Sequence, residues 1–134
     1  VPHIAIEYTD NVSDLLDATG LVDAMHATAQ RLGVFPHWGI RTFATAVETS
    51  RIADDAVGGP TGYVHVRVKI AAGRDEATTG RIVEEFHRTL STHLVDLCAD
   101  RPVGFQLEIF EFDPAKTRSG GSIAGSPTRT TPTY

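Results

Sequence analysis

The chain has one cysteine, Cys98, in 134 residues. A lone thiol closes no internal disulfide, so the fold must rest on burial alone, and a reducing, cytoplasmic setting is expected. Long apolar runs are missing too. None approaches the ~20 residues of a membrane span, and the first residues lack the charged start and apolar core of a signal peptide. Basic character is scarce: the net charge is −5, which argues against nucleic acid or an anionic membrane as a partner. Residues 115–134 are the exception. They hold Lys116, Arg118 and Arg129 with no Asp or Glu, so they carry +3 and leave −8 on the rest. An anionic ligand would have to be drawn in by local arginines rather than by the global field.

What is present fits one soluble globular domain: 41% of residues are apolar and 22% charged, ordinary values for that class. Residues 2–8 alternate, with Pro2, Ile4, Ile6 and Tyr8 on one face and His3, Ala5 and Glu7 on the other, which predicts a half-buried strand. Ser13 is a candidate N-cap for the helix that follows. That helix carries Leu21, Met25, Thr28 and Leu32 at helical spacing and stops at Gly33. "IRTFATAVE" reads as a second strand. "YVHVRVKI" alternates again, with Val64, Val66, Val68 and Ile70 inward and Tyr63, His65, Arg67 and Lys69 outward. Asp75 caps a second helix striped by Ile82, Phe86, Leu90, Leu94 and Leu97, and "FQLEIFEF" reads as a last strand.

The order is β-α-β twice, repeating after about 60 residues. The expected class is α+β: a four-stranded sheet with both helices on one face, in a single domain over residues 1–116 whose halves span about 2–60 and 62–114. The polar second face of the sheet is expected to meet a neighbouring subunit. Residues 117–134 form a Gly/Ser/Thr/Pro-rich tail with no apolar periodicity, which cannot by itself offset its ordering entropy.

Most reactive side chains have ordinary readings. None of the six histidines forms a ligand-spaced pair, and no metal site is expected. "GGPTG" lacks the lysine of a phosphate loop and reads as a turn. Cys98 lies near the second helix's apolar stripe and reads as a core thiol. Pro2 is different. As a chain terminus it would be a rigid secondary amine, tuned toward neutrality by an apolar setting and nearby cations, hence a good general base. Inside a chain it is simply a proline at the first position of a strand. Arg41 and Arg74 each stand near a strand terminus, where a guanidinium can grip a carboxylate with two bonds; each could equally be a solvated surface arginine.

"PHIAIEYTDN", "GVFPHWGIRT", "RIAD", "YVHVRVKIAAGRD" and "LEIFEFDP" occur in this order. From Pro2 to about Pro114 the chain resembles the 5-carboxymethyl-2-hydroxymuconate isomerases of the tautomerase superfamily. That resemblance implies a two-layer tautomerase fold assembled as a homotrimer. It implies keto–enol isomerisation of a small anionic unsaturated di- or tricarboxylate in homoprotocatechuate degradation, without metal or organic cofactor. By position in the motifs, Pro2 would be the catalytic base, and Arg41 and Arg74 would bind the carboxylates and polarise the oxo group. Related activities on the same scaffold, namely phenylpyruvate tautomerase, hydratase or dehalogenase of unsaturated acids, remain alternatives. So does a non-catalytic trimeric binding module if residue 1 is retained.

The sequence departs from the family pattern in three places. Val1 stands at the family's initiator methionine, as a valine-type start codon read literally would give. Ala71 replaces the usual glycine, and the tail loses the Lys/Asn-rich ending. His3 is given no role, since alternation turns it away from Pro2's face.

Overall fold

The computed structural model describes residues 1–126. Four strands and two helices follow in order: β1 (His3–Thr9), α1 (Ala18–Leu32), β2 (Arg41–Val47), β3 (Gly62–Ala71), α2 (Glu76–Asp100) and β4 (Val103–Phe112). The sheet order is β2-β1-β3-β4. β1 runs parallel to β2 and antiparallel to β3, and β3 runs parallel to β4. Each parallel pair is bridged by a helix, so the two β-α-β units join edge to edge through β1 and β3.

Period-two alternation decides which face is buried. Ile4, Ile6, Val64, Val66, Val68 and Ile70 are at most 1% exposed and meet Leu21, Met25, Ile82, Phe86, Leu90 and Leu94 from the helices. This one layer of contact is the core. The expected α+β class and the helices' common face both hold. The opposite face presents His3, Ala5 and Glu7 of β1 in register with Arg41, Phe43 and Thr45 of β2 and with Lys69, Arg67 and His65 of β3. Phe43 and Phe110 remain 55% and 44% exposed.

Two readings are corrected by the structure. Ser13 does not cap α1. It ends a short 3-10 turn, Asp10–Val12, and its hydroxyl donates to the Asp10 carbonyl at 2.6 Å. Asp17 caps the helix instead, accepting the Gly20 N–H at 2.9 Å, because the apolar period begins only at Leu21. Cys98 is exposed, not a core thiol. It follows the buried Leu97, and one helical residue turns the chain by about 100°, off the stripe. The other termini match: Asp75 accepts the Thr78 N–H at 2.8 Å, and Gly33 takes a left-handed φ of 73°, a conformation glycine adopts freely.

Long side chains tie the loops down. Arg101, just past α2, donates to both carboxylate oxygens of Asp14 at 2.8 and 3.1 Å. Asn11 donates to the carbonyls of Gly59 and Thr61. These bonds hold the β1–α1 and β2–β3 connections at one end of the sheet and leave the other end, where β1 begins, for a site.

Candidate active site

At that end the chain enters β1 beside the last turn before β2. Pro2 is buried, and its carbonyl accepts the Arg41 backbone N–H at 3.2 Å. The amino group of Val1 donates to the Gly39 carbonyl at 2.6 Å. The fit is close: a Cβ on Gly39 would lie 2.6 Å from the Val1 nitrogen, so any side chain there would displace residue 1. The amine's pKa is lowered below the ordinary value of 8.0, first by burial and then by the charges of Arg41 and Arg74. Both effects disfavour the ammonium form.

The two arginines are held differently. Arg74 is half-buried over the Phe35 ring, 5.0 Å from its centroid, and donates to the carbonyls of Ala71 at 2.9 Å and Val34 at 3.3 Å. Arg41 is exposed, and its Nε–H donates to His3 Nδ1 at 2.9 Å. Alternation does turn His3 away from Pro2, as its spacing implies, yet this same turn brings it onto Arg41. Thus Pro2, Arg41 and Arg74, separated by up to 72 positions, converge on one end of β1.

A cavity of about 460 Å³ opens beside the Val1 amine. Val1, Trp38, Arg41, Lys69 and Phe112 form part of its wall. Gly39 and Ile40 add to it, and the tail, which leaves the Pro114–Lys116 turn, supplies Thr117 to Gly121, Ile123 and Ser126. Among the described residues, three cationic side chains, Arg41, Lys69 and Arg118, border the space and no carboxylate does. Arg74 acts on the amine from outside this lining. The tail's part was not legible from composition. Its residues have no periodicity, and their neighbours are distant in sequence, such as Trp38 beside Gly125. The remainder of the tail, residues 127–134, lies outside the described residues. Among the described residues, no group of three or more His, Cys, Asp or Glu side chains is arranged to hold a metal ion, and no helix is long and apolar enough to cross a membrane.

Comparison with known proteins gives this geometry a family. The 5-carboxymethyl-2-hydroxymuconate isomerase family matches residues 2–125. The 5-carboxymethyl-2-hydroxymuconate Delta-isomerase of Escherichia coli is 32% identical over 116 residues, covering 85% of this chain and 89% of the relative. A crystal structure of a 5-carboxymethyl-2-hydroxymuconate isomerase from Deinococcus radiodurans R1 superposes with a TM-score of 0.80 at 29% identity, covering 88% of this chain and 87% of that one. A fused 4-OT symmetric trimer shares the fold more distantly, with a TM-score of 0.63 at 15% identity, covering 86% of this chain and 91% of that one. With nearly its whole described length matched, the chain belongs to the 5-carboxymethyl-2-hydroxymuconate isomerase family.

Proposed function

We propose that this member of an isomerase family ketonises 5-carboxymethyl-2-hydroxymuconate or a closely similar 2-hydroxymuconate-type polycarboxylate, in aromatic-acid degradation of the homoprotocatechuate kind. Its general base is the secondary amine of Pro2, exposed by removal of residue 1. The observation that carries this reading is the amine seat at the start of β1: an amine there is depressed by burial and by Arg41 and Arg74, beside a cavity whose charged side chains, among the described residues, are all cationic. Loss of Val1 leaves Pro2 as the group facing the space that Val1 now lines. The strand's bonds, including Pro2 carbonyl to Arg41 N–H, fix the direction of its lone pair.

The chemistry follows from these groups. The Pro2 nitrogen takes the proton of the 2-hydroxyl. The electron pair of that O–H bond becomes the carbonyl π bond, and the conjugated system shifts its electrons to a distant carbon. The same nitrogen, now protonated, gives its proton to that carbon, so no net proton is gained or lost. A free base near neutral pH suits this shuttle. A guanidinium beside the 2-oxygen stabilises the developing charge, and a second holds a remote carboxylate, setting which carbon faces the amine. Arg74, half-buried and fixed by two carbonyls just outside the cavity's present lining, is assigned the first role, its charge already acting on the amine that faces the space. Arg41, at the cavity wall, suits the second.

The working assembly in this proposal is a homotrimer built on the open sheet face. Phe43 and Phe110 there are half-exposed and would be covered by neighbouring copies. The lone cysteine supports a reducing, cytoplasmic setting. The test is the rate of ketonisation of 5-carboxymethyl-2-hydroxymuconate by a chain starting at Pro2, by one retaining Val1, and by Pro2→Ala. Turnover by the first alone is expected. Equal turnover by all three would overturn the proline mechanism.

A further inference from the structure

We propose that His3 is a positioning residue for this reaction: its neutral imidazole, accepting the Arg41 Nε–H at Nδ1, turns the other edge of that guanidinium toward the substrate's carboxylate. The inference rests on the reading of Arg41 as a carboxylate ligand. Its evidence lies in how the two strands present these side chains.

The parallel register of β1 and β2 sets His3 directly opposite Arg41 on the open sheet face. The bond between them is 2.9 Å, a normal length for a ring nitrogen accepting a guanidinium N–H. Two residues along β2, the Phe43 ring lies 5.3 Å from the imidazole, centroid to centroid, and tilted by 38°. This contact limits rotation of the imidazole. Arg41 makes no ion pair with any described residue, and its two terminal nitrogens donate to none. A guanidinium gripped at Nε therefore keeps its Nη1–Nη2 edge for a fork onto a carboxylate. Without His3, the exposed Arg41 would have to be ordered by the substrate itself, at the cost of side-chain freedom.

The arrangement works in one protonation state. Nδ1 accepts only when the ring is neutral with its proton on Nε2. A protonated ring would direct an N–H at an N–H and add a charge among cations. The groups around His3 are the position-1 amine, Arg41 on β2, and Lys69 and Arg67 on β3. Among the described residues, no carboxylate lines the hollow that His3 forms with Ala5, Arg67, Lys69 and Phe110. Burial and these charges lower the His3 pKa below its ordinary 6.5, burial contributing most, so the acceptor form persists at neutral pH.

Two measurements on the full chain, processed to Pro2, test this. The first is kinetic, with 5-carboxymethyl-2-hydroxymuconate as substrate. His3→Phe removes the acceptor and is expected to raise KM about tenfold with kcat nearly unchanged, the cost of about 1.4 kcal/mol for a charge-assisted bond. His3→Gln retains an acceptor oxygen and should recover most of that loss. In the unmutated enzyme KM should rise as pH falls through the His3 pKa, and in His3→Phe this limb should vanish. The second measurement is a ¹⁵N NMR titration, with the His3 signals assigned by their loss in His3→Gln. It should show a lone pair on Nδ1 and a titration below 6.5 that moves up in Arg41→Gln. An unchanged KM in His3→Phe, or a proton on Nδ1, overturns the proposal. Absence of turnover by the unmutated enzyme refutes the proposed reaction separately. The titration would then still decide whether His3 holds Arg41.

Discussion

An ordinary α-amine keeps its proton until about pH 8, and an amine that keeps its proton is no base. At the start of β1 the balance is moved by burial first and by Arg41 and Arg74 second. For a Pro2 amine in the same seat the free-base form is present above the lowered pKa and lost below it, so kcat/KM should fall as pH drops through it. Arg41→Gln or Arg74→Gln removes one cation that disfavours the ammonium form, so the amine's pKa should rise and the acid limb should move to higher pH. Each shift should be partial, because burial remains. A pH–rate profile for each variant checks both sign and order.

Gly39 offers a second test at this scale. The three atoms nearest its imagined Cβ all belong to Val1, with the nitrogen at 2.6 Å and the carbonyl oxygen at 3.3 Å. Gly39→Ala should therefore destabilise a chain that retains Val1 by about 1–3 kcal/mol, the usual cost of overpacking. A chain starting at Pro2 should tolerate it. Denaturant melts of the two chains, each with and without the substitution, would show the difference.

At the scale of elements, the tail is a wall of the cavity: Thr117 to Gly121, Ile123 and Ser126 line it opposite Trp38 and Arg41. Deleting residues 117–134 should leave the sheet and helices folded, since no described tail residue belongs to the core. It should raise KM for an anionic substrate by removing Arg118 and opening the cavity to water. Circular dichroism with steady-state kinetics would separate the two effects. Within α2 the contrast is instructive. Phe86 is fully buried, and Phe86→Ala should cost about 3–5 kcal/mol, read as a lower denaturation midpoint.

What the sequence made legible at this scale is what repeats locally. Val64, Val66, Val68 and Ile70 announce β3 by alternation, and Ile82 to Leu97 announce α2 by helical spacing. Ser13 was a plausible cap on residue type, yet capping depends on where the helical period starts, and Asp17 sits nearer that point. Cys98 seemed buried by its nearness to the stripe, though its angle about the helix, not its nearness along the chain, decides exposure. Pro2, Arg41 and Arg74 could be singled out by motif. The His3–Arg41 bond could not, because it depends on the register of two strands whose paired residues stand 38 positions apart. The tail's seat against Trp38 was hidden for the same reason: a segment without periodicity reveals its partner only in three dimensions.

At the scale of the whole molecule, one face of the sheet is covered by helices and the other, among the described residues, is bare. Phe43 and Phe110 keep 55% and 44% of their surface there, among His3, Arg67 and Lys69. Covering that face in a trimer predicts a sedimenting species of three times the 14.4 kDa chain. Phe43→Glu with Phe110→Glu should drive it toward monomer by placing six new charges in one assembly. Equilibrium sedimentation of both proteins would decide the point. A monomeric parent would refute the trimer while leaving the fold untouched.

The depressed amine has a use outside catalysis. Lysines hold their protons up to about pH 10.4, so near neutrality they are masked as nucleophiles. An amine lowered by burial and two arginines is not. A small electrophile such as cyanate or an acyl ester, offered at mild pH, should mark this nitrogen ahead of Lys69 and Lys116. The protein thus carries a built-in handle for single-site labelling, and the rate at which it takes up label, followed by mass, would report the occupancy of the cavity.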